Sequence, residues 1–143
     1  MKAEQISIFL ENKEGRIAEV TSILAKAKVN IRALSLADTT DFGVLRLIVD
    51  NNDKAEQALK TEGFTFGKTD VVAVKVEDKP GGLNDILNYI EDANINVEYM
   101  YSFASVANNN AIMIFRFDNI DGAIETLTEK GVKVFNEKDV YTM

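Results

Sequence analysis

At the N-terminus Ile6, Ile8 and Leu10 alternate with Gln5, Ser7 and Glu11, the period of a strand with one buried face. After a short polar loop, Ile17, Val20, Leu24 and Ala27 recur at helical spacing, with Arg16, Glu19, Ser22 and Lys26 on the outside. Asn30 ends that pattern. Residues 31–37 read as a strand whose phase slips between Ala33 and Leu34, which predicts a bulge. Thr39-Thr40-Asp41-Phe42-Gly43 predicts a hairpin turn, and residues 44–50 return as an apolar strand. Residues 51–62 predict a second helix with Asp53 near its start and Gly63 as its stop; residues 64–67 follow as a short strand.

The pattern then starts again. Gly15 and Gly81 stand 66 residues apart, and the same offset pairs Lys13 with Lys79, Ala27 with Ala93 and Asn30 with Asn96. Val72, Val74 and Val76 form the new first strand; Leu83, Ile86, Leu87, Ile90 and Ala93 form the new helical stripe. Residues 96–105 and 111–118 form the hairpin, with Asn108-Asn109-Asn110 as its turn. Beyond it the offset is 68, matching Asp50, Asn51, Asp53, Ala55, Leu59 and Gly63 with Asp118, Asn119, Asp121, Ala123, Leu127 and Gly131.

Each half therefore reads βαββαβ. Right-handed crossovers put both helices on one face of an antiparallel sheet, the ferredoxin-like arrangement, so the fold class is α+β with two such units, residues 1–69 and 70–143. Lys68-Thr69-Asp70 is too short for a flexible linker, so the units are expected to pack side by side. Residues 140–143 are expected to form an extra strand or an extended tail.

Composition narrows the chemistry. Sixteen basic against 23 acidic residues give a net charge of -7, which argues against nucleic acid and anionic membrane surfaces as partners. The chain has no cysteine and no histidine, which removes thiolate and imidazole ligands, nucleophiles and bases, and no cofactor is expected. No basic and apolar leader and no run near about 18 apolar residues is present, so a cytoplasmic protein is expected. Apolar residues on both faces of the third strands, with Val44 and Ile48 opposite Leu45, Leu47 and Val49, and Ile112 and Ile114 opposite Met113, Phe115 and Phe117, predict a homodimer covering the second face.

The candidate site is the strand-to-helix loop Asp78-Lys79-Pro80-Gly81-Gly82-Leu83. Glycine lets a ligand approach the backbone, and the first amides of the helix lack intrahelical acceptors and so welcome a carboxylate. Asp78 can accept from an ammonium group. A plainer reading stays open, in which Gly81 serves a tight turn and Asp78 a cap. Arg46, Arg116 and the series Tyr99, Tyr101, Phe103 read as strand-face and core residues before they read as ligand contacts. The acidic clusters near Asp50 and Asp118 lack the closing glutamate of a calcium loop and read as helix caps.

Asp78-Lys79-Pro80-Gly81 followed by Ile95-Asn96-Val97 resembles the ACT domain, an amino-acid-sensing module of biosynthetic enzymes, and Asn12-Lys13-Glu14-Gly15 with Val29-Asn30-Ile31 is a second, weaker copy. The resemblance covers nearly the whole chain. It implies a non-catalytic regulatory protein that binds a small molecule, expected to be an amino acid, and acts on a partner enzyme or transporter. The alternative is an assembly subunit like the small subunit of acetolactate synthase. Carried over by position, the ligand-binding residues are Asn12, Gly15 and Ile17, then Asp78, Gly81, Gly82 and Leu83, with the strand residues Asn30 and Asn96. Edge-to-edge pairing, as in the serine-sensing domain of phosphoglycerate dehydrogenase, implies Asn12 facing Asn96 and Asp78 facing Asn30. The family's loop histidine is replaced by Leu10 and Val76, its proline by Glu14 and its asparagine by Asp78. Glu14 favours the helix start itself and competes with a ligand carboxylate, so the second loop is expected to bind first.

Overall fold

The computed structural model describes residues 1–11, 13–38, 41–103 and 110–142. The expected turns at Thr39-Thr40 and Asn108-Asn109 lie outside them, as does Asn12. The chain divides into two compact units, Glu4–Thr69 and Asp70–Met143 with Met1–Ala3.

In the N-terminal unit, β1 (Ala3–Glu11), α1 (Arg16–Lys26), β2 (Ile31–Asp38), β3 (Phe42–Val49) and α2 (Asn52–Thr61) lead into β4 (Thr65–Glu77), whose first residues belong to this unit. The strands lie in the order β2-β3-β1-β4. Ile6 opposes Leu47 and Ile8 opposes Leu45 across antiparallel β1 and β3, so these side chains share one face. That face packs with Val20 and Leu24 of α1 and Ala55 and Leu59 of α2. Both helices cover it. The other face of β1 is not fully solvated: Gln5 and Ser7 are also buried, the Gln5 Nε2 donating to Ser7 Oγ at 2.9 Å.

The C-terminal unit takes the rest of β4 as its first strand, then α3 (Gly82–Asp92), β5 (Val97–Ser102), β6 (Asn110–Phe117) and α4 (Ile120–Glu129). Val72 opposes Phe115 and Val74 opposes Met113 in β4 and β6, and β5 pairs with the far side of β6. A fourth strand is reduced to one antiparallel bridge, Val74 to Val134, flanked by Lys75 N–H to Lys133 O at 3.0 Å and Phe135 N–H to Ala73 O at 2.9 Å. Val72, Val74, Val76, Phe115 and Phe117 meet Ile86, Ile90, Ala123 and Leu127 in the core. Each unit is thus an antiparallel sheet with two helices on one face, the α+β, ferredoxin-like arrangement twice.

Three expectations need correction. The short strand at 64–67 and the one starting near Val72 are a single strand, β4, because Gly67-Lys68-Thr69-Asp70 carries no turn geometry to break it. The bulge falls at Arg32, between Ile31 and Ala33, and a matching irregularity lies between Val97 and Tyr99. Residues 137–142 are a helix, α5 (Glu137–Thr142), rather than a strand: Asn136 Oδ1 accepts from the Asp139 N–H at 2.8 Å, and Val140 alone is buried, as one turn of helix allows. Among the residues behind the expected homodimer, Ile48, Ile112 and Ile114, on the sheet faces away from the helices, are buried.

Candidate functional site

In both units the first helix starts in the same way. Lys13 N–H donates to Glu11 O and Lys79 N–H to Glu77 O, both at 2.9 Å, closing a tight turn at the strand end. The chain then passes through a left-handed glycine, Gly15 at φ 85° or Gly81 at φ 88°, where a β-carbon would be strained. Gly15 O and Gly81 O accept the first helical bonds, from Glu19 and Asp85 at 3.0 Å. Neither helix has a side-chain cap, so the amides of Ile17 and Ala18, and of Leu83 and Asn84, have no intrahelical acceptor.

The second helix of each unit differs. Asn51 Oδ1 accepts from Lys54 N–H at 3.1 Å, and Asn119 Oδ1 accepts from Gly122 N–H at 3.0 Å. The caps in these acid-rich stretches are the asparagines, and no group of three or more metal-ligating side chains occurs among the described residues.

The loop lysines are held at the rim by ion pairs, Lys79 Nζ 2.7 Å from Glu77 and Lys13 Nζ 3.3 Å from Glu11. The hydrogen bond from Lys79, then its charge, keeps the Glu77 carboxyl below its ordinary value and Lys79 above its own. Lys13, and then Arg16, lower Glu11 in the same way. Asp78 itself is exposed.

The strand asparagines are placed by the helix ends. Lys28 and Asn94 adopt left-handed conformations at φ 59° and 58°; Val29 N–H then donates to Leu24 O at 3.0 Å and Ile95 N–H to Ile90 O at 3.1 Å, burying Val29 and Ile95. Asn30 and Asn96 emerge next, exposed. Their backbones are fixed by aspartates expected to serve as helix caps. Asp50 Oδ1 accepts from Asn30 N–H and Asp118 Oδ1 from Asn96 N–H, each at 2.9 Å.

Within one unit the expected residues form two groups. Asp78, Gly81, Gly82 and Leu83 lie at the start of α3 and Asn96 lies beyond its end; eleven residues at 1.5 Å rise separate them by about 16 Å. Gly15 and Ile17 are likewise separated from Asn30 by α1. Tyr101 and Phe103 are buried, and Arg116 binds Glu98 at 3.2 Å and Asp70 O at 2.9 Å, so these side chains are structural.

This doubled strand, glycine turn and helix agrees with a sequence profile described as an ACT domain pair, which matches residues 1–143. The chain belongs to the ACT domain family. No curated protein sequence matches it. Among solved structures, a Bacteroides thetaiotaomicron protein is 45% identical over 100% of this chain and 98% of its own, with a TM-score of 0.94. The ligand-free regulatory subunit of aspartate kinase from Thermus thermophilus is 14% identical over 88% of this chain and 91% of its own, with a TM-score of 0.62. That of Thermus flavus is 13% identical over 90% and 92%, with a TM-score of 0.61. At those identities the aspartate kinase subunits share the ACT fold. No helix among the described residues is long and apolar enough to cross a membrane.

Proposed function

We propose that this ACT domain pair is a regulatory protein without catalysis of its own, which binds a free amino acid and passes its occupancy to a partner enzyme. The observation that carries this is the contrast between helix starts. Asparagine side chains cap α2 and α4, whereas α1 and α3 begin at bare left-handed glycines with open amides. A ligand carboxylate complements the amides of Leu83 and Asn84, and the Asp78 carboxylate beside them complements an ammonium group. Because about 16 Å of helix separates the loop from the strand asparagine of the same unit, a ligand touching both takes its asparagine from another ACT unit. Asp78, Gly81, Gly82 and Leu83 with a strand asparagine form the stronger candidate; Asn12, Gly15 and Ile17 form the weaker one, since Glu14 competes for the same amides.

Regulation requires that the ligand favour one conformation or assembly over another. The fold is shared with regulatory subunits of aspartate kinase, which makes an amino-acid biosynthetic enzyme the natural class of partner. Calorimetry of the full chain against the proteinogenic amino acids should give at least one saturable ligand, weakened by Asp78→Ala or Asn96→Ala. Silence across the panel removes the sensing role and leaves an assembly subunit, to be checked by co-purification.

A further inference from the structure

The two units carry a cleft at equivalent positions, of about 320 Å³ in the N-terminal unit and about 370 Å³ in the C-terminal one. Each lies between the end of the unit's first strand, the first turns of the first helix and the left-handed glycine after the second, Gly63 or Gly131. Their charges are opposite. Glu11, Glu19 and Glu62 face one arginine, Arg16, in the first, a formal -2. Lys75, Lys79, Lys130 and Lys133 face Glu77 and Asp85 in the second, a formal +2 on a chain whose net charge is -7.

The internal pairing leaves the second cleft with a surplus of positive charge. In the first, Arg16 bridges Glu19 at 3.0 Å and Glu11 at 3.6 Å. Gly82 stands at the Arg16 position in the second cleft and brings no side chain. There Lys79 is committed to Glu77. Lys130 lies 5.6 Å from the Tyr89 ring centroid and Lys133 5.6 Å from that of Phe135, contacts that position an ammonium group without neutralising it. Three lysines then remain against Asp85, in a cleft within the size range of small-ligand sites.

We propose that the C-terminal unit binds a small, multiply charged anion in this cleft, a phosphorylated or polycarboxylate metabolite held by Lys130 and Lys133. The cleft shares Lys79 and Gly82 with the Asp78 loop but takes its surplus charge from Lys75, Lys130 and Lys133. Inorganic pyrophosphate and citrate serve as probes, titrated by calorimetry into the full chain at ionic strength held constant with sodium chloride. Saturable binding of pyrophosphate alone assigns a phosphate ligand, of citrate alone a polycarboxylate, and of both a site selective for charge. Joint Lys130→Ala and Lys133→Ala, both at exposed positions, should weaken binding at least tenfold. Asp85→Asn should tighten it several-fold, and Lys26→Ala, which removes a basic residue outside the cleft, should leave it unchanged. No saturable binding of either probe, or binding indifferent to both the double lysine variant and Asp85→Asn, overturns the proposal. An amino-acid response lost in Asp78→Ala alone bears only on the other site.

Discussion

The N–H of Asn96 donates to Asp118 Oδ1 at 2.9 Å while the N–H of Asp118 donates back to Asn96 O at 3.1 Å, a reciprocal clasp repeated between Asn30 and Asp50. Two strand ends are held in register by it just where the candidate asparagines emerge. Asp118→Ala should therefore cost about 1 kcal/mol in urea unfolding, the usual net worth of such a hydrogen bond. Asp118→Asn, which keeps an acceptor oxygen, should cost less. Ligand affinity that falls in Asp118→Ala, with the fold intact, would show that the clasp positions Asn96.

The repeat was legible because local chemistry repeats with it: a glycine that must take positive φ and a strand with valine on alternate positions leave little freedom in placement. The bulge was legible only roughly. Leu34 and Leu36 are apolar yet 47% and 49% exposed at the edge strand, so their spacing shifted the apparent phase two residues past Arg32. The clasp was hidden because an aspartate accepting a backbone N–H twenty residues away leaves no periodic trace. At the C-terminus the tail was misread from Val140 and Tyr141, although Asn136 followed by Glu137 and Asp139 is a helix-start composition.

Val140 is fully buried in a helix of six residues, too short to persist without packing. Val140→Ala should lower stability by about 2 kcal/mol. Lys138→Ala, exposed on the same helix, should change it by less than about 0.5 kcal/mol. Thermal unfolding followed by circular dichroism distinguishes the two; equal melting temperatures would mean that α5 contributes nothing.

The Glu77–Lys79 pair gives the candidate loop a pH dependence with two limbs. Glu77 is lowered in the folded chain, so its contribution is complete above the ordinary carboxylate value of 4.5 and is lost as pH falls through the lowered one. Lys79 is raised, so its contribution is complete below 10.5 and is lost as pH rises through the raised value. Between these limits the Gly82 amide resonance should be constant. Glu77→Gln should abolish its acid limb while the Glu11 loop keeps its own. Both groups are exposed, so global stability should move little.

Gly82 separates the two loops by sterics as well as by charge. A β-carbon there would sit 2.0 Å from Glu77 O, a backbone atom with no room to yield, so any other residue must push α3 away from β4. The first loop carries Arg16 at this position and is correspondingly looser, with Arg16 N–H to Lys13 O at 3.4 Å against Gly82 N–H to Lys79 O at 3.0 Å. Gly82→Ala should then destabilise the chain by about 1–3 kcal/mol. Arg16→Ala, which removes only partly exposed ion pairs, should cost no more than about 1 kcal/mol. If the open amides of Leu83 and Asn84 hold a ligand carboxylate, Gly82→Ala should also weaken amino-acid binding more than Arg16→Ala does at the matching position of the first loop. Equal losses from the two would mean that the loops are interchangeable and that the close approach of α3 to Glu77 has no part in binding.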